Sequence, residues 1–311
     1  MPNNKYLPEG SLIGTAENNE YTSSLYGLEK ARQEGKILEG IVSMCDSDTY
    51  TLHVDLCGID GIIERSEALY GEEIKDIAII TRVGKPVAFK VLQVVASSRE
   101  RPYVILSRKE AQRECMREYL LDLIAGDIIP ARVTHLEPFG AFVDVGCGIA
   151  SLMSVDAISV SRIPSPAERF ALREQIKVVV RSIDYDTGRI YTSTRELFGT
   201  WEENASKFAV GQTVSGIIRS VESYGVFVEL APNLAGLAEL REGVQAGQSC
   251  AVYIKSIVPE KMKIKLVIID SYDSVTPRKR PEYFVDTNKV EHISYWKYSP
   301  DSCDRIIESV F

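Results

Sequence analysis

Two four-residue phrases carry the side chains with the most evident chemistry. Phe139-Gly140-Ala141-Phe142 and Tyr224-Gly225-Val226-Phe227 each set two aromatic rings three positions apart around a glycine, and each runs on into Val and an acid. Cations follow downstream: Arg189 after Asp184 in one case, and Lys255, Lys261, Lys263 and Lys265 in the other. An aromatic plane held on a surface can stack on another flat ring, and a cation beside it can neutralise an anion or stack in turn. This is chemistry for holding a ligand, not for making or breaking its bonds.

Metal and redox chemistry have little to draw on. The six cysteines (Cys45, Cys57, Cys115, Cys147, Cys250, Cys303) and three histidines (His53, His135, His292) are scattered, and no C-x-x-C spacing occurs. No zinc site is expected, and the thiols read as free in a reducing compartment. A Gly-rich phosphate loop and a paired-carboxylate constellation are both missing. We therefore expect no metal, no cofactor and no small-molecule substrate. No apolar run approaches the ~18–20 residues of a membrane helix. The opening MPNNKYLPEG also lacks the basic and apolar parts of a secretory signal. A cytoplasmic protein without membrane contact is the expectation.

The elements that must position the rings come from an internal repeat. Residues 126–145 (GDIIPARVTHLEPFGAFVDV) and 211–230 (GQTVSGIIRSVESYGVFVEL) share one pattern, and residues 35–56 (GKILEGIVSMCDSDTYTLHVDL) share its opening with two extra residues in the turn. Each copy continues through a short phrase (GIDGIIERSE, GIASLMSVDA, LAGLAELREG) into a closing strand pair. Strand alternation places Ala141, Val143 and Val145 on one face, with Phe142 and Asp144 on the other; Val226, Val228 and Leu230 likewise oppose Phe227 and Glu229. The β-branched set should line a core, leaving the Phe and its neighbouring acid outward. Five short strands with Gly-rich turns in ~70 residues suit a small Greek-key barrel of the OB type.

The expected fold is mainly β: three tandem five-stranded OB barrels at 35–108, 125–195 and 210–270. Helical connectors are predicted at 109–124 and 196–209, the second opened by a capping box at Thr200-Trp201-Glu202-Glu203. Residues 1–34 read as disordered and 271–311 as a small C-terminal extension. There YFVD and HISYW suggest strands, and Ser299-Pro300 a short helix through Ile307.

The net charge of −8 argues against a chain that coats polyanions by charge alone. The deficit is uneven, because eight Lys/Arg meet eight Asp/Glu over 125–195, and six meet six over 210–270. Binding in either neutral segment must rest on local placement and stacking.

At these residues the pattern resembles the S1 RNA-binding domain, and three copies in tandem resemble a short member of the ribosomal S1 family. The resemblance spans roughly 35–270 and is strongest in the second and third copies, where F/Y-G-x-F-V-D/E recurs at constant spacing. It implies an RNA face made of two aromatics on adjacent strands, a histidine after the third strand, and an Asp and Arg at the last hairpin. The second copy supplies Phe139, Phe142, Asp184 and Arg189, with Ser154 at the histidine position. The third supplies Tyr224 and Phe227, with Glu239 at that position, Val258 or Pro259 for the Asp, and Lys263 for the Arg beside Lys255 and Lys261. The first copy aligns only Tyr50 and His53, with Glu64 for the histidine, and is expected to bind RNA least or to dock on protein. The implied partners are single-stranded RNA or mRNA and the small ribosomal subunit.

Blander roles compete residue by residue. Phe139 and Phe227 could pack in the core or a turn, Asp184 could shape its hairpin with Arg189 as surface partner, and His53 could be an ordinary strand residue. Arg278-Lys279-Arg280 could be a solvated break, and Tyr283, Phe284, Tyr295, Trp296 and Tyr298 could pack on the last barrel. Three functions follow: a non-catalytic RNA-binding protein of translation, a nuclease, or a protein-interaction module whose barrels have lost RNA. About one hundred residues outside the repeats, split into pieces, leave too little chain for a nuclease core.

Overall fold

Segments of alternating β-branched residues, punctuated by glycine, close on themselves three times. The computed structural model describes residues 5–71, 75–96, 101–273 and 281–311. These form three closed five-stranded barrels and one two-stranded sheet. The first barrel comprises β1 (Leu38–Cys45), β2 (Leu52–Leu56), β3 (Ile59–Ile63), β4 (Pro86–Val95) and β5 (Tyr103–Ser107). The second comprises β6 (Ile128–Glu137), β7 (Gly140–Asp144), β8 (Ala150–Ser154), β9 (Gln175–Asp184) and β10 (Arg189–Ser193). The third comprises β11 (Thr213–Glu222), β12 (Gly225–Ala231), β13 (Leu234–Ala238), β14 (Ser249–Val258) and β15 (Lys263–Tyr272). In each, three antiparallel strands are followed by a fourth that returns to the first, and the fifth lies parallel to the third. This is the OB arrangement that the repeat predicts.

The predicted core faces hold. Ala141, Val143, Val145, Val226 and Val228 are fully buried. Each barrel carries a bulge at the same place in its first strand, skipping Ser43, Thr134 and Arg219, and another in its fourth, skipping Leu92, Arg181 and Lys255. A bulge twists the strand and re-aims the extra residue.

The described part of the N-terminal segment, residues 5–34, is ordered rather than disordered. Helices Ala16–Thr22 and Leu25–Glu34 pack Tyr21, Leu28 and Ala31 into the first barrel's core. Thr15 and Ser24 accept backbone N–H bonds as N-caps, and Gly35 ends the second helix in the left-handed region. Ahead of them, residues 6–13 form a strap between the first two barrels. Glu9 is buried between Arg108, Arg82 and the Ala88 N–H. Gly10, Leu12 and Ile13 donate N–H bonds to Glu39, and the Glu9 N–H donates to Asp144 at 2.7 Å. Polar composition hides this order, because each buried charge is satisfied by a partner far along the chain.

The connector after the first barrel is helical over Arg108–Cys115 and widens to a π-turn over Met116–Leu120. The predicted capping box at Thr200 forms, with Thr200 and Glu203 bonded reciprocally. The C-terminal extension straps the second and third barrels together. His292 bridges to Asp127 and Tyr283 stacks on Phe198, while Trp296 and Tyr298 enter the third barrel's core. Buried Asn233 bonds Arg195, Gly199 and Val160 across the same junction. The strands there are β16 (Tyr295–Lys297) and β17 (Glu308–Val310). YFVD forms no strand and residues 299–307 form no helix, since Ser299 accepts the Ile307 N–H in a turn that returns the chain to β17. Arg278-Lys279-Arg280 lies outside the described residues.

Candidate nucleic-acid interface

Phe139 and Phe142 stand edge-to-face with ring centroids 6.1 Å apart and planes at 90°. Tyr224 and Phe227 repeat this almost exactly in kind, at 6.1 Å and 88°. The turn ring is open to solvent in both pairs (Phe139 57%, Tyr224 67% exposed), and the strand ring is half-buried on the barrel's outer face. The intervening glycine is required by close approach. A Cβ on Gly140 would meet the Met153 carbonyl at 2.5 Å, and one on Gly225 would meet that of Ala238 at 2.7 Å. Neither pair is a core contact, so the packing alternative falls for Phe139 and Phe227.

Around the second pair of strands the sequence reading is partly corrected. The acids Asp144 and Glu229 share the outer face with Phe142 and Phe227, yet both are buried. Asp144 accepts N–H bonds from Glu9, Gly146 and Gly148 beneath the strap; burial, then the nearby Glu9 carboxylate, pushes its pKa up to about 7. Glu229 is held by Arg169 at 2.7 Å and Arg219 at 2.9 Å. Alternation assigned the face correctly but not its cover, which comes from distant segments.

Asp184 accepts bonds from the Thr187 hydroxyl and from the Thr187 and Asp186 N–H groups, which hold its carboxyl below the usual range. It shapes the hairpin, and Arg189 sits directly across from it in an exposed position. Ser154 ends β8, and its hydroxyl is engaged with Asp156, whose pKa it lowers. In the third barrel Lys263 stands across from Val258, which settles the hairpin position in favour of Val258 over Pro259. Lys261 and Lys263 are exposed, and Lys255 lies 3.7 Å from Glu239.

Three residues escaped the sequence reading. His135 lies 6.3 Å from the Phe142 ring and bonds Glu137. Tyr191 pairs with Leu152 and Ser182, continuing the Phe142 row across the barrel. Arg181 occupies the fourth-strand bulge where Lys255 stands in the third barrel, 3.9 Å from Asp156. Only the register shows that these side chains share the face.

The first barrel does not assemble the pair. Tyr50 precedes β2 in the left-handed region, at φ 57°, and packs against the core, while His53 bonds Asp60 at 3.0 Å. Their backbone positions match those of Phe139 and Phe142, but no ring contact forms between them among the described residues.

The family model of the S1 RNA-binding domain matches residues 122–195, the second barrel with the end of its connector. A small ribosomal subunit protein bS1 homolog of Bacillus cereus is 30% identical over 308 residues, 95% of this chain and 76% of that protein. The bS1 protein of Rhizobium meliloti is 27% identical over 87% of this chain, which spans 46% of the relative. That of Staphylococcus aureus is 33% identical over 181 residues, 53% of this chain and 46% of the relative. The chain thus spans about half the length of the latter two. With S1-type barrels in tandem and a 30% identical relative matched along nearly its whole length, the chain belongs to the family of small ribosomal subunit protein bS1 homologues.

Proposed function

We propose that the chain is a non-catalytic, single-stranded RNA-binding protein of translation, acting in the cytoplasm with mRNA and the small ribosomal subunit. The observation that carries this reading is the recurrence of one edge-to-face aromatic pair, at one register point, in the second and third barrels. Unstacked bases of a single strand offer flat partners to such rings, at ~1–3 kcal/mol per base, whereas a duplex keeps its bases stacked inside. Arg181 and Arg189 in the second barrel, and Lys255, Lys261 and Lys263 in the third, supply cations for phosphates flanking a stacked base. Two faces on one chain gain avidity through effective concentration. The names of the relatives agree with this reading.

A titration of labelled single-stranded RNA by fluorescence anisotropy, repeated with the same sequence annealed to its complement, tests it. Preference for the single strand is expected; equal affinity for the duplex would point to charge rather than stacking. A second reading, protein docking, is favoured for the first barrel alone, whose matching face exposes Met44 and Leu92.

A further inference from the structure

The Tyr224–Phe227 pair opens onto a cavity of about 570 Å³, which both rings help to line and which continues beyond them. Four separate parts of the chain wall it: the 160–164 loop of the second barrel, Trp201 of the second connector helix, the third barrel, and the C-terminal strap. Trp201 and Tyr298 back it from the core, the accessible rings are Tyr224 and Phe227, and Arg162 and Arg305 contribute exposed guanidiniums. Neither arginine has an ion-pair partner among the described residues, in contrast to Arg219 on the same wall, which is neutralised by Glu229 and Glu168. Glu222 is the single carboxylate among the lining residues.

A small side chain on the strand wall adds to the room. In the second barrel His135 stands across from Phe142 and fills the space beside that ring. At the same register point the third barrel has Ser220, which lines the cavity. The volume lies within the ~300–1,000 Å³ of ligand pockets. A large anionic surface would need a broad basic face, whereas this is a half-open cleft with two accessible rings, Tyr224 and Phe227, and two unpaired cations. One flat base with its flanking phosphates fits that chemistry.

We propose that this cavity is a nucleotide subsite, in which a base of bound single-stranded RNA held against Tyr224 and Phe227 reaches into the cleft and its flanking phosphates meet Arg162 and Arg305. The inference rests on the RNA-binding reading above and extends it beyond the third barrel, to a second-barrel loop and the C-terminal strap.

The test uses the full chain with a labelled twelve-nucleotide oligouridine, titrated at two salt concentrations. Four proteins are compared: wild type, Arg162→Ala with Arg305→Ala, Tyr224→Ala, and a charge-matched control, Arg113→Ala with Arg117→Ala, on the connector helix. Both cavity arginines are exposed, so the double variant should melt as wild type does; if it does not, Arg162→Gln with Arg305→Gln replaces it. The cavity variant is expected to lose about tenfold in affinity, the equivalent of ~1.4 kcal/mol. Its log K against log salt should be shallower by about 1.4, two phosphates at ~0.7 each. The control should stay within about twofold of wild type, as expected when non-contacting charges are removed. If Tyr224→Ala weakens binding while the cavity variant does not, the subsite is wrong and the RNA reading stands. If the cavity variant and the control lose equally, the effect is general charge and the subsite is wrong. If neither Tyr224→Ala nor the cavity variant changes affinity, the RNA reading falls and the subsite with it.

Discussion

Across the first barrel, the residues paired strand to strand on the outer face read Met44, His53, Ile62, Ile105 and Gln93. The same row reads His135, Phe142, Leu152, Tyr191 and Ser182 in the second barrel. In the third it reads Ser220, Phe227, Leu237, Lys265 and Ser256. The bulge beside the row holds Leu92, Arg181 and Lys255 in turn. Backbone register is identical along these rows because the inward positions fix it, and a one-residue slip would turn every core side chain outward. The outward positions carry no such constraint. One barrel can therefore present alkyl side chains where its neighbours present rings and cations, at no cost to the fold.

A second contrast concerns the acid that ends the second strand's outer face. Asp55 is exposed in the first barrel, accepting the Gly58 N–H, whereas Asp144 lies beneath the strap that Glu9 and Arg108 anchor. The largest expected effect follows from this. Arg108→Ala leaves the Glu9 carboxylate buried without its bidentate partner and should cost ~3–5 kcal/mol. Asp55→Asn should stay within about 0.5 kcal/mol, as surface changes do. Urea unfolding of both variants checks the pair; similar losses would mean that the strap adds nothing to the second barrel.

Next in size is the division of RNA affinity between barrels. Phe142→Ala with Phe227→Ala removes one stacking plane from each better-formed face and should cost ~2 kcal/mol or more, about thirtyfold. Both rings are half-buried on the outer surface, so the thermal midpoint should move little by comparison. His53→Ala should change affinity by less than about twofold, since a group that meets no base forfeits none of that stacking energy. Anisotropy and melting on the same samples separate binding from folding. A large stability loss with affinity retained would place the rings in the core.

The aromatic phrases were legible in the sequence because their signal is local: a glycine demanded by close approach, flanked by rings, repeated at constant spacing. The three barrels were legible for the same reason, through alternation of Ala141, Val143 and Val145 and its repetition. What escaped was non-local. The buried state of Asp144 depends on Glu9, and that of Glu229 on Arg169, partners that no strand period reveals. Arg181 and Tyr191 join the face only through bulged pairing between β9 and β10. The helix Leu25–Glu34 did carry a readable signal, Ser24 before it and Gly35 after, with Leu25, Leu28 and Ala31 at turn spacing, which the polar composition around it obscured.

The strap also predicts a pH dependence. Burial, offset in part by the N–H bonds of Leu12 and Gly10, pushes Glu39 up to about 7, and burial with the Glu9 charge does the same for Asp144. Glu9, buried as deeply, is held below its ordinary value by Arg108 and Arg82. An unfolded carboxyl releases its proton near pH ~4. Between that point and about 7 the folded chain keeps protons on Glu39 and Asp144 that the unfolded chain has lost. Unfolding free energy should therefore fall as pH rises through the window, by at most ~1.4 kcal/mol per unit for each proton, and level off above it. Asp144→Asn should flatten the fall. Denaturation at a series of pH values measures it, and stability rising from pH ~5 to ~7 would show that the strap's acids stay ionised in the fold.

The smallest expected effect is also the sharpest test of the comparison between barrels. If only outward side chains separate the first barrel from the second, then His53→Phe with Leu92→Arg should raise the first barrel's RNA affinity without disturbing the core. Both positions face outward, His53 half-buried and Leu92 42% exposed. The gain has a ceiling set by Tyr50, which remains packed against the core and leaves the new Phe without an edge-on partner. One unaccompanied plane is worth ~1 kcal/mol, the low end of the stacking range, or about a fivefold rise in affinity. One added phosphate contact should steepen the salt slope by about 0.7. These changes should be read in a protein whose Phe142 and Phe227 are already alanine, so that the grafted face is not masked by the two native ones. A rise in affinity with the steeper slope would mean that the outer row decides which barrel holds RNA. No rise, in a variant that melts normally, would place the deciding difference in the turn that swings Tyr50 inward rather than in the row itself.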